Sequence, residues 1–474
     1  MIDNQQRTSD AFIDDALIQT LLTEAKTKSQ DKKLVSNIIA KAGKYQGLSA
    51  GEVAVLLEVT DSELLQEMVA TACAVKKAIY GTRIVLFAPL YISSHCVNNC
   101  VYCGYRHDNK DQLRRRLSMD EIKEEVEILE SLGHKRLAIE AGEDPVNCDI
   151  DYVVNAIKAV YSVKDGNGSI RRANVNIAAT TIEEYRKLKE VGIGTYILFQ
   201  ETYHRPTYDL LHPNSIKNDY NWHTTAMDRA MKAGIDDVGI GVLYGLYDYK
   251  YETVAMFLHA EHLNKDCGVG PHTISVPRLR PASGMSLENF PHLVSDEDFD
   301  KIVAIIRLAV PYTGMLLSTR ENAEHRDKLI TYGISQISAG SCTGVGGYHD
   351  IYKDHNTANG MQFETGDNRS PNEVVRMLCE TGYIPSFCTA CYRQGRTGDR
   401  FMKLAKSGEI QNVCQPNALL TFKEYLIDYA DEETKEIGKG TIERNLAMIK
   451  NEELRSETAK RLLQIEEGTR DLFF

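Results

Sequence analysis

The chain has 474 residues, too many for one small domain and about right for a barrel with additions at either end. Hydrophobic residues make up 43% and charged residues 26%, an ordinary globular balance with enough material for a large core. A net charge of −12 without a clustered basic face excludes nucleic acid as the main partner, and no apolar run approaches the roughly 20 residues that span a bilayer.

The N-terminal stretch MIDNQQRTSD is polar and lacks the charged-then-apolar layout of a secretory signal, so a cytoplasmic protein is expected. Residues 1–80 read as a helical extension. Ser49 caps a short amphipathic helix, and Asp61 or Ser62 caps a longer one that stops near Gly81. From residue 81 to 370, β-branched apolar runs alternate with helical periodicity. The runs fall at 83–93, 135–142, 173–179, 194–200, 236–245, 272–278, 314–320 and 334–340. Near-continuous apolar strands separated by helices predict a parallel sheet, and eight of them favour a closed (β/α)8 TIM-type barrel over an open α/β sheet. Beyond residue 370 the strand signal disappears, and 371–474 reads as a mainly helical, charged C-terminal domain.

Eleven cysteines in a reducing compartment point away from structural disulfides, and six of them fall in two groups. The other five read as small buried hydrophobes. The segment CVNNCVYC puts Cys96, Cys100 and Cys103 on a loop just after the first strand, at the face where barrels build their chemistry. Three thiolates can hold three irons of a 4Fe–4S cube and leave the fourth open. A structural zinc normally takes four N or S ligands, and this loop supplies three. In the tail, CTAC and QNVC supply Cys388, Cys391 and Cys414, a CxxC pair with a distant third cysteine. Zinc completed by a histidine and a cluster with an open iron both suit that second set.

The C-x3-C-x2-C spacing, with aromatic Tyr102 before the last cysteine, resembles the radical S-adenosylmethionine (SAM) superfamily. That resemblance implies SAM chelated to the open iron and cleaved on reduction of the cluster, with Tyr102 near the adenine. Ala141, Gly142 and Glu143 in EAGEDP resemble the family's Gly-Gly-Glu segment, which contacts the SAM amino group; small residues there let backbone carbonyls come close. Asn176, Thr180 and Glu201 hold strand-end positions that face the ligand in a barrel. Adding the tail cysteines to the segments YCGYRH, NIAATT, FQETYHRPTYD, GPHTISVPRLRP and ISAGSCTGVGGY, the whole chain resembles the tyrosine lyases that mature FeFe-hydrogenase. The related lyases of thiazole synthesis share the barrel and lack the tail cysteines.

That resemblance implies scission of the Cα–Cβ bond of L-tyrosine to p-cresol and dehydroglycine. The fragment would pass through the barrel to the second cluster and become carbon monoxide and cyanide on iron. It also implies a reducing electron donor and other hydrogenase maturation proteins as partners. A tyrosine carboxylate calls for a buried arginine fork, with Arg280 and Arg320 as candidates and Ser341 as a hydroxyl donor. The family's second cluster carries an extra, labile iron bound in part by a histidine. His259 is the first choice, with His262 on the same helical face and His272 at the start of the sixth strand in reserve. A non-catalytic cluster-assembly scaffold is the competing reading from a different class.

Overall fold

The computed structural model describes residues 9, 12–356 and 360–474. Most of the N-terminal stretch read for a secretory signal lies outside the described residues. Eight parallel strands close into a barrel: β1 (Arg83–Ser93), β2 (Arg136–Ala141), β3 (Arg172–Asn176), β4 (Tyr196–Ile197), β5 (Val238–Gly241), β6 (Thr273–Ser275), β7 (Gly314–Leu317) and β8 (Gln336–Ser338). Each pairs with its sequence neighbour, and β1 closes the ring by pairing with both β8 and β2. Seven of these eight strands lie inside one of the eight apolar runs, and β3 begins one residue before its run, at Arg172. Several are shorter than the run, because the loop residues after each strand leave the ladder to line the upper face.

Local rules explain the helices between the strands. Ser118 and Thr181 form capping boxes with Glu121 and Glu184 and start the helices Met119–Ser131 and Ile182–Val191. Ser49 does the same with Glu52, and Asp61 caps Ser62–Tyr80, which ends at Gly81 with φ 64°. The N-terminal helices pack on the barrel: Ala50–Leu57 on Tyr249–Asp266, and Ser62–Tyr80 on Asp296–Ala309. No helix among the described residues is long and apolar enough to cross a membrane.

One expectation is corrected. Beyond residue 370 the sequence pattern holds no strand, yet β9 (Ile384–Ser386) pairs in parallel with the first residues of β1, Arg83↔Ile384 to Val85↔Ser386. Three residues centred on a proline carry little strand signal. Pro385 is tolerated because β9 ends the strand order, where a missing N–H breaks no ladder. The long helix Ile410–Asp428 then packs on β9 and on the helices Glu432–Ala447 and Glu452–Glu466.

Candidate active site

Strand alternation decides what the barrel encloses. Along β2, Leu137 and Ile139 are fully buried in the main core, while Ala138 and Glu140 line a cavity at the upper, C-terminal end of the strands. Phe87, Ala138 and Leu316 form its apolar floor. Cys96, Cys100 and Cys103 line the same cavity, as do Tyr102, Ala141, Gly142, Glu143, Asn176, Glu201, Arg320 and Ser341. Eleven of the residues expected from sequence therefore converge on one space.

The cysteine loop is pinned on both sides. The Val97 amide donates to the Glu143 carbonyl at 2.8 Å, and the Val101 amide to the Leu211 carbonyl at 3.1 Å. Within the loop, the Cys103 amide donates to the Cys100 carbonyl at 3.0 Å. Burial pushes all three thiols up, Cys103 to about 11, so an ionised thiolate here needs a bound cation. Among the described residues only His349, Asp350 and Asp354 bring three ligand atoms within 4.8 Å of one another. At least one pair of the three loop sulfurs thus stands more than 4.8 Å apart, wider than the about 3.8 Å at which a tetrahedral zinc with 2.3 Å bonds would hold them. A larger cube suits that spread.

Gly142 approaches the loop so closely that a Cβ would stand 2.3 Å from the His95 carbonyl oxygen, which leaves backbone in place of a side chain at that cradle. Tyr102 is fixed by a chain of hydrogen bonds. His212 Nδ1 lies 2.7 Å from the Tyr208 carbonyl and must donate to it, so Nε2 accepts from the Tyr102 hydroxyl at 2.7 Å. Burial lowers His212 to about 3 and keeps the ring neutral. Tyr102→Phe leaves Nε2 buried and unpaired, and is expected to destabilise the fold by about 1–3 kcal/mol in a denaturant titration.

Charge in the cavity is paired with care. Glu201 has φ 70°, an uncommon conformation for a residue with a Cβ, and its carboxylate meets Lys217 Nζ at 2.7 Å. Burial opposes the Lys217 charge, but Glu201, Cys100 and Glu143 hold its pKa above the usual lysine range. Asn98 of the cysteine loop donates to Glu143 at 2.5 Å, and Asn176 donates to Glu140 at 2.7 Å. Lys217, Asn98 and Glu140 escape the sequence reading; Glu140 leaves a trace there, as the one carboxylate in its strand run, directly after the apolar stretch Leu137–Ile139.

The two candidate arginines part company. The Arg280 guanidinium pairs with Glu321 at 2.6 Å and is not among the residues lining the cavity. The Arg320 guanidinium lies in the cavity, 3.3 Å from the centre of the Phe363 ring, with no ion pair or hydrogen bond among the described residues. The Ser341 hydroxyl is also buried without a partner. Thr180 stands outside the cavity lining, its hydroxyl donating to Glu184 at the start of the next helix.

The tail cysteines occupy the opposite end. Arg136, at the start of β2, donates to the Cys388 carbonyl at 2.8 Å. Tyr392 lies under the guanidinium groups of Arg136 and Arg172 and bonds Thr195, just before β4, at 3.1 Å. Gly398 donates to Asp237, just before β5, at 2.8 Å. These contacts place the CxxC segment below the N-terminal ends of the strands. Cys414 lies two turns before Thr421 on the helix Ile410–Asp428, and Thr421 receives the amide of Phe387, the residue before Cys388, at 3.3 Å. His272, at the start of β6, stacks edge-on against Phe401 at 4.7 Å and lies 6.3 Å from Tyr392. His259 is elsewhere: it bonds the Tyr203 hydroxyl at 2.8 Å beside Phe12, and His262 bonds Asp228 at 2.8 Å.

A parallel eight-stranded barrel, a C-x3-C-x2-C loop after β1 and an upper cavity shared by both define a radical SAM enzyme. Residues 90–260 match the family model described as the Radical SAM superfamily, and residues 275–384 match the Biotin and Thiamin Synthesis associated domain. A crystal structure of HydG, a maturase of the FeFe-hydrogenase, is 63% identical, covers 98% of this chain and 100% of that one, and superposes with a TM-score of 0.94. The maturase HydG from Carboxydothermus hydrogenoformans is 39% identical over 96% of this chain and 100% of that one, with a TM-score of 0.83. The 2-iminoacetate synthase of Escherichia coli is 30% identical over 340 residues, 71% of this chain and 86% of that protein. The chain belongs to the HydG maturase family.

Proposed function

We propose that the chain cleaves the Cα–Cβ bond of L-tyrosine to p-cresol and dehydroglycine, and that the fragment yields carbon monoxide and cyanide on iron at a second cluster held by Cys388, Cys391 and Cys414. The observation that carries the reading is an unpaired guanidinium, Arg320, in the same cavity as the three loop cysteines. A planar fork with no ion pair or hydrogen bond from the protein in a buried site calls for a carboxylate.

Cys96, Cys100 and Cys103 hold the 4Fe–4S cluster, and Gly142 and Glu143 present the backbone cradle to the SAM amino group. When bound, the cluster and SAM supply the electron and the 5′-deoxyadenosyl radical that begin the reaction. The protein's own groups bind and orient. Arg320 takes the tyrosine carboxylate, the unpartnered Ser341 hydroxyl donates beside it, and the apolar floor of Phe87, Ala138 and Leu316 keeps water from the reacting carbons. At the lower end, His272 replaces His259 as the favoured ligand of the extra iron. It shares its surroundings with the CxxC segment, and burial lowers its pKa and leaves it in the neutral form that binds metal. A reducing electron donor and other maturation proteins complete the reading, in the cytoplasm.

Anaerobic incubation with SAM, L-tyrosine and dithionite tests it, with p-cresol, carbon monoxide and cyanide as the expected products. p-Cresol without the two diatomic products would reduce the chain to a tyrosine lyase. Arg320→Lys keeps the charge and loses the fork, so tyrosine affinity is expected to fall by about tenfold or more while SAM affinity is held. Equal weakening of both ligands would put Arg320 on SAM.

A further inference from the structure

Three carboxylates line the upper cavity, and two have partners that occupy them. Glu201 is neutralised by Lys217, and Glu143 is tied to Asn98 of the cysteine loop. Glu140 accepts one hydrogen bond, from Asn176 to Oε2, and its other oxygen makes none among the described residues. Its direction is set by the backbone: β2 pairs Glu140 with Tyr91 on one side and Asn176 on the other, and the alternation that buries Ile139 outward turns Glu140 inward.

Arg320 enters the same cavity from the end of β7. Arg320 and Glu140 act on each other electrostatically, yet they form no ion pair. A guanidinium and a carboxyl group, neither of them ion-paired, therefore face a common space and are held apart. Burial raises Glu140 to about 8 against the pull of Arg320 and Asn176, so a positive ligand group would supply the counter-charge that desolvation denies it.

We propose that Glu140 binds the α-ammonium group of the substrate, opposite the carboxylate held by Arg320. The inference rests on the tyrosine reading above and adds the group that recognises the amine. An α-amino acid carries both charges on one carbon, so the pair selects a zwitterion. With the aromatic side chain as a third point of contact, it also fixes the hand of Cα. A substrate lacking either charge leaves Glu140 or Arg320 desolvated and unpaired, the arrangement that gives strong discrimination.

The test is equilibrium dialysis on the reconstituted enzyme with SAM present and no reductant, using L-tyrosine and 3-(4-hydroxyphenyl)propanoate, which lacks only the amine. The parent is expected to bind tyrosine about tenfold or more tighter than the propanoate. Glu140→Gln keeps the shape and the bond to Asn176 and loses the charge. It should bring that ratio close to one through weaker tyrosine binding, while SAM binding and the circular dichroism spectrum stay those of the parent. Glu140→Asp should restore part of the ratio. An unchanged ratio in folded Glu140→Gln overturns the assignment. So does a loss of SAM affinity with tyrosine affinity intact, which would put Glu140 on the SAM ribose. Absence of tyrosine binding to the parent itself would overturn the tyrosine reading, and this inference with it.

Discussion

Replacing Cys96, Cys100 or Cys103 by alanine is expected to abolish SAM cleavage, lowering 5′-deoxyadenosine formation by several orders of magnitude. All three thiols face the cavity that holds Gly142 and Glu143, and the loop is pinned to the Glu143 and Leu211 carbonyls. A lost ligand therefore cannot be replaced by a neighbouring cysteine sliding in. The measurement is 5′-deoxyadenosine after anaerobic reduction, normalised to bound iron and sulfide. A variant forming it at the parent rate would remove the loop from the centre of the mechanism.

The second large effect separates the two ends of the barrel. Eight strand steps from Val85, the residue beside Ser386, to Ser93, just before the cysteine loop, rise about 3.3 Å each, so the two cysteine sets lie about 26 Å apart along β1. Groups that far apart do not share a reacting atom. A Cys388→Ala, Cys391→Ala double variant should still release p-cresol and should fail to give the iron-bound carbon monoxide and cyanide product. His272→Ala should lose the labile iron with less damage to the cluster, and His259→Ala serves as the comparison from a site remote from the CxxC segment. Circular dichroism must show that each variant remains folded, since a metal site can also hold its surroundings together. Loss of p-cresol from a folded double variant would mean that the tail takes part in starting the radical chemistry. Undiminished product would make Cys388, Cys391 and Cys414 structural ligands.

The parts of this molecule legible in its sequence are those that local rules determine. The eight apolar runs, the capping serines and aspartates, and the cysteine spacings all depend on neighbours a few residues away. The parts that were not legible depend on contacts between distant segments. Arg280 and Arg320 look alike in VPRLRP and LLSTRE; only the folded chain shows that Glu321 takes Arg280 and leaves Arg320 facing the cavity. His259 and His272 are similarly indistinguishable until Tyr392 and Phe401 arrive beside one of them from more than a hundred residues away. Glu140 was visible but unread, since an acid in an apolar strand announces a buried charge without saying what answers it.

The placement of β9 bears on how the tail can be removed for study. β1 gives one of its edges to β8. Its other edge is divided, with Ala88–Ser93 paired to β2 and Arg83–Val85 paired to β9. Cutting the chain before β9 would strip that lower portion and present bare N–H and C=O groups beside the apolar side chains of the barrel's base. Such an edge is a template for another chain. A shortened protein would then self-associate for reasons unrelated to its chemistry, and point substitutions at the cysteines are the cleaner instrument.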